Sequence, residues 1–234
     1  MCDLVRRYGD VSRRRQDDVQ QQWVVGQGFQ PFNPDRNNRS LLPSSSRYVG
    51  KLPNLPIEAV RRFTQPIKDL VPWPSHLVRR KGFERGFSGP RILVARGISR
   101  SHSRLRATYT ESDFTFQDII QAIAIPSGEE ARAKLLTALL NSGVATWFAF
   151  HATASFGSER PEVKLAELLR FPFPKATDLP EPEVAARAAQ KLTELIDNAM
   201  RGATAGSVPY GEEDANYTEV TGLSISTFAY RTMR

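Results

Sequence analysis

Apolar residues in this chain fall into short, punctuated runs, and their spacing predicts the elements. Ile92-Leu93-Val94-Ala95 is a strand closed by Arg96-Gly97, and Leu105 to Thr110 is a second after a Ser/Arg/His turn, so the two are expected to form a hairpin. Trp23-Val24-Val25 begins another strand, running into Gly26-Gln27-Gly28-Phe29. That glycine pair reads as a tight turn and not a nucleotide cradle, because Pro31 follows where a helix would be needed. Phe114 and Phe116 alternate with polar residues, and Asp118 to Ile125 reads as a buried strand ended by Pro126.

The helical pattern is clearest after Ser127-Gly128-Glu129-Glu130, where Ala131, Leu135, Leu136, Leu139 and Leu140 form one apolar stripe. Asn141-Ser142-Gly143 breaks it, with Ser142 placed to cap a second helix through Val144, Trp147, Phe148 and His151. Trp147, Phe148 and Phe150 are expected in the core, and His151 in the core or at its rim. Glu162 to Arg170 is a short helix or extended piece stopped by Phe171-Pro172-Phe173-Pro174. A last amphipathic helix is expected over Pro180 to Met200, with Gly202 as its C-cap. Pro56 is suited to start a short helix inside the proline-rich Val49 to Trp73 stretch.

These elements predict an α+β fold, a mixed, irregular small sheet with a basic hairpin packed against two to three helices. The expected organisation is a polar N-terminal segment over 1–22, frayed or disordered. An α/β domain covers 23–175, the amphipathic helix 176–202 and a flexible tail 203–234.

Charge sharpens this picture. From Arg79 to Arg106 there are nine Arg or Lys and one acid, Glu84, a local +8 against +7 for the whole chain. A basic ribbon is an electrostatic footprint for a polyanion, most often nucleic acid. Of the 32 basic residues 25 are Arg, whose fork engages two acceptors at once on phosphate or guanine. The lone cysteine, Cys2, excludes an internal disulfide framework and a cysteine-based zinc site. No apolar run approaches the roughly 20 residues of a membrane span, and the N-terminus lacks an apolar signal core, so a cytoplasmic location is expected.

Candidate chemistry is sparse. Zincin, Walker and nucleophile-elbow motifs are missing, and His76, His102 and His151 lie scattered between loops. Asn33-Pro34-Asp35 lacks the second proline and the aromatic of an amino-methyltransferase loop. Read from its residues, the chain is a binding module: no catalytic, metal or cofactor-binding residue stands out.

Four segments in order, GPRILVARGISR, RLRATYTESDFTFQDIIQAI, LLTALLNSGVATWFAFHATASFG and SERPEVKLAELLRFPFP, carry a resemblance. Together, over residues 25–175, the chain resembles the C-terminal target-recognition region of N6-adenine DNA methyltransferases from restriction-modification systems (type IIG and type I-like methylases). The resemblance implies double-stranded DNA as partner, with the catalytic work done by a methyltransferase domain in cis upstream or in trans. That domain would bring S-adenosylmethionine and the loop that holds a flipped adenine. This chain has neither motif, so the resemblance implies the back half of such an enzyme, as a fragment, split subunit or remnant. It also makes Arg96, Arg100, Arg104 and Arg106 the expected DNA contacts, with Lys81 and Arg91 on phosphates. Two other readings stay open: a complete, divergent S-adenosylmethionine-dependent DNA methyltransferase, and a structural protein docking an acidic partner.

Overall fold

A computed structural model describes residues 5–7, 22–33, 42–63, 66–98, 104–152, 162–173 and 175–205. Ten short strands come first: β1 (Val5–Arg7), β2 (Trp23–Gln27), β3 (Gln30–Pro31), β4 (Ser44–Ser45), β5 (Asn54–Leu55), β6 (Leu77–Arg80), β7 (Arg91–Ala95), β8 (Ala107–Thr110), β9 (Thr115–Phe116) and β10 (Ile120–Ala124). Helices α1 (Glu130–Leu140), α2 (Gly143–Ala152), α3 (Leu165–Leu169) and α4 (Pro182–Ala205) follow. The main sheet has the order β1-β2-β10-β7-β8, and the small ones are β3-β6-β4 and β5-β9. The architecture is the mixed α+β fold that the pattern predicts, with small irregular sheets and a few helices.

Strands β7, β8 and β10 are buried at every residue. Their near-continuous apolar runs reflect a sheet covered on both faces. Trp23, Val25, Ile92, Val94 and Ile123 pack with the helices, whereas the alternate residues Val24, Leu93, Ala95, Ala122 and Ala124 pack under Phe83, Phe87, Phe114 and Phe116. The period-2 alternation of a strand thus feeds two separate cores from one sequence run.

The expected hairpin forms: β7 and β8 pair antiparallel, Ile92 opposite Tyr109 and Val94 opposite Ala107. β10 pairs antiparallel with both β7 and β2. β1 runs parallel to β2 with Val5 opposite Trp23, a strand that the polar N-terminal segment gives no pattern for. Gly26 belongs to β2 and both glycines are buried, so neither forms an exposed turn nor cradles a ligand.

Gly28 and Gly82 explain how the small sheets attach. A Cβ on Gly82, whose φ is +72°, would lie 2.4 Å from the carbonyl carbon of Gly28. Phe83 N–H donates to Gln27 O at 2.8 Å beside this contact. Only two bare backbones pass this closely.

Of the α1 stripe, Leu136, Leu139 and Leu140 are buried as expected, Leu140 at 0 % exposed, whereas Leu135 is half-buried and Ala131, in the helix's first turn, is exposed. Ser142 caps α2, its Oγ accepting from Ala145 N–H at 3.3 Å. The aromatic expectation needs correction: Phe148 packs edge-on against Phe171, but Trp147 and Phe150 are 51 % and 59 % exposed, with the exposed His151 ring 4.7 Å from Trp147. Both lie on the side of α2 turned from the sheet, a separation that a ten-residue run of apolar character cannot encode. The final helix begins at Pro182 and continues past Gly202 to Ala205, so Gly202 does not cap it. Its Leu192, Ile196 and Met200 are buried, and Asp197 pairs with Lys134 of α1 at 2.6 Å.

Candidate nucleic-acid interface

The register of the main sheet sorts the basic residues between its two ends. Antiparallel pairing puts the C-terminal ends of β2 and β7 beside the N-terminal ends of β10 and β8. Ile120 faces Ala95, Arg96 N–H donates to Ile119 O at 3.0 Å, Ala95 N–H to Arg106 O at 3.0 Å, and Gly28 N–H to Ile120 O at 3.1 Å. The Gly82–Gly28 contact then brings Lys81 to this same end. β2 and β7 are two strand spacings apart, about 10 Å. Lys81, Arg96, Arg104 and Arg106, distant in sequence, therefore gather at one end of the sheet.

Their states differ. Lys81 is exposed, as are Arg79 and Arg80, and none of the three forms an ion pair with a described residue. Arg104 and Arg106 are half-buried, and Arg104 likewise has no described ion-pair partner. Arg96 is tied to Glu162, just before α3: its Nη2 donates to Oε1 at 3.0 Å, and Nε lies 2.8 Å from Oε2 without its N–H being aimed there. That carboxylate is fixed by backbone, since Val163 N–H donates to Arg96 O at 3.0 Å and Gln121 Nε2 donates to Val163 O at 2.9 Å. Arg100 lies outside the described residues.

Arg91 corrects the expectation of a phosphate contact. It sits at the opposite end of β7, beside Ala124 and Thr110, and is 0 % exposed. Its guanidinium donates to Gly89 O at 2.7 Å and to Ser112 O, and lies 4.4 Å from the centre of the Phe114 ring. Burial pushes its pKa down to about 10, partly offset by the nearby Asp113. Arg91 is a clamp between two turns, unreachable by a duplex. Composition counts it with its neighbours, but its place in the strand points it into the aromatic core.

Acids at the basic end are already engaged. Asp118 accepts from Gln30 Nε2, and Gln30 is the register partner of Arg80. Glu84 accepts from Ser46 Oγ at 3.3 Å and lies 3.9 Å from Arg47, whose guanidinium stacks on Tyr48. Arg47 follows β4, whose antiparallel register places it near His76 at the N-terminal end of β6. Among the described residues no group of His, Cys, Asp and Glu could hold a metal ion.

No family model matches this chain, and no curated protein matches it. The descriptors that the resemblance suggests are corrected accordingly: DNA-binding, methyltransferase, N6-adenine, restriction-modification and target-recognition domain are not supported as an identity, and nothing supports a cytoplasmic location. No single described helix is long and apolar enough to cross a membrane.

Proposed function

We propose that this chain is a docking module for double-stranded DNA, serving a catalytic domain carried elsewhere. The carrying observation is the gathering of Lys81 and Arg104 with the exposed Arg79 and Arg80 around one end of the main sheet, none of them in an ion pair with a described residue. Exposed cations without carboxylate partners neutralise phosphates and release condensed counterions, which drives duplex binding irrespective of sequence. On the four-segment resemblance alone, the catalytic partner would be an adenine methyltransferase domain in cis or in trans, holding S-adenosylmethionine itself.

Against the reading as a complete methyltransferase stands the topology. Among the described residues the main sheet is antiparallel except for β1–β2, with no doubly wound parallel sheet of the type that seats nucleotide cofactors. The test is equilibrium binding of the chain to a random-sequence duplex across a salt series. Combined Arg79→Ala, Lys81→Ala and Arg104→Ala should flatten the log–log salt slope by about 2.7, about 0.9 per phosphate. No binding by the wild-type chain at moderate salt refutes the proposal and favours an acidic protein partner. Stoichiometric S-adenosylmethionine binding would favour the complete enzyme instead.

A further inference from the structure

At the basic end, Arg96 is held against a carboxylate, Glu162, at hydrogen-bonding distance. Its Nη2 donates to Glu162 Oε1 at 3.0 Å, Nε is buried 2.8 Å from Oε2 without donating to it, and the side chain as a whole is 31 % exposed. Nη1 has no hydrogen-bond partner among the described residues and is not among their buried unpartnered polar atoms. A guanidinium carries five N–H donors. With one Nη2 N–H given to the carboxylate, the end-on edge, the other Nη2 N–H beside one from Nη1, has no acceptor among the described residues. That edge has the geometry that matches O6 and N7 of guanine.

Neutralisation by Glu162 matters as much as geometry. An Arg whose charge is already balanced adds little counterion release when it meets a phosphate. Held by Glu162, whose backbone neighbour is itself bonded to the sheet, it loses little side-chain freedom on binding, which favours a contact that demands orientation. The free cations Arg79, Lys81 and Arg104 suit the opposite task, gripping phosphates without regard to sequence.

We propose that Arg96, oriented by Glu162, reads a guanine edge in the major groove, and that this pair sets sequence preference while the unpaired cations set affinity. The inference rests on the duplex-docking reading above. It is tested by equilibrating the full chain with a pool of duplexes randomised over a central window, sequencing the bound fraction, and measuring salt slopes on the enriched duplex. The wild-type chain should enrich sites with a fixed guanine. Arg96→Ala should relax preference at one guanine position by about 5- to 150-fold with the salt slope unchanged. Arg96→Lys, which keeps the cation and loses the planar fork, should relax it likewise and guards against a poorly folding alanine variant. Glu162→Gln should steepen the slope by about one as it frees a cation, and should blunt the guanine preference.

Unchanged base preference in both Arg96 variants overturns the inference and leaves a merely structural ion pair. A slope lowered by about one in Arg96→Ala, with preference intact, overturns it in favour of a phosphate contact. Wild-type binding without any enrichment overturns the inference but leaves the docking reading standing, whereas absence of binding removes both.

Discussion

Replacing Asn141 by Leu should cost about 2–4 kcal/mol, and the figure follows from where its amide sits. Asn141 is 0 % exposed at the end of α1. Its Oδ1 accepts from Ala107 N–H at 2.9 Å, and its Nδ2 donates to Ala107 O at 2.8 Å and to Thr137 O at 3.0 Å. Ala107 begins β8, the edge strand of the main sheet, so the amide stands in for the missing neighbouring strand. In the Leu variant Thr137 O keeps Asn141 N–H at 3.2 Å, and Ala107 O keeps Phe63 N–H at 3.2 Å. Only Ala107 N–H is orphaned, costing about 1–3 kcal/mol, and the two lost bonds to oxygens that keep a partner add about 1 kcal/mol together. Leu keeps the branching of Asn, so no cavity opens, and its bulkier methyls add overpacking to the cost and do not relieve it. For a domain of this size the loss lowers Tm by about 5–15 °C, read by calorimetry or by urea titration at constant m. Amide exchange at Ala107 should accelerate as well. A change below about 0.5 kcal/mol would show that the amide does not hold the edge strand.

Leu140→Ala, at a fully buried site on α1, should cost about 2–5 kcal/mol by denaturant titration, and wild-type stability would remove this helix face from the core. Gly82→Ala forces a side chain into a left-handed conformation against the Gly28 backbone. It should cost at least about 1–3 kcal/mol from the backbone strain alone, with loss of duplex affinity if the small sheet detaches. Tyr109 donates from its hydroxyl to Glu111 Oε1 at 2.5 Å, and burial together with that bond raises its pKa above the usual 10. The folded state therefore holds the proton after the unfolded chain has lost it. The phenol's contribution is fully present below pH 10 and declines as pH rises above it. The stability gap between wild type and Tyr109→Phe should accordingly move against the wild type above that pH, and a gap independent of pH would contradict the assignment. Arg91 titrates in the opposite sense but is common to both chains, so it cancels in the comparison.

Local pattern was enough to read β7, β8, β10, α1 and the Ser142 cap, because alternation, helical spacing and capping are written in adjacent residues. The same pattern made Asn141 only a helix breaker, since its partner Ala107 lies 34 positions away. Charge density along 79–106 was legible too, and it pointed to a basic surface. It could not sort that surface, because counting along a chain is blind to which end of a strand a residue occupies. Only Ile92 to Ala95 separate Arg91, sealed under Phe114, from Arg96, paired with Glu162. Lys81 joins Arg96 only through the backbone contact of two glycines 54 positions apart. The sequence alone determined β2, β7, β8, β10, the apolar helices and the sign of the charge, all of which depend on near neighbours. Which cations are free, which are neutralised and which are buried was decided by the tertiary structure, because long-range register and packing place the carboxylates and aromatic rings that settle each one.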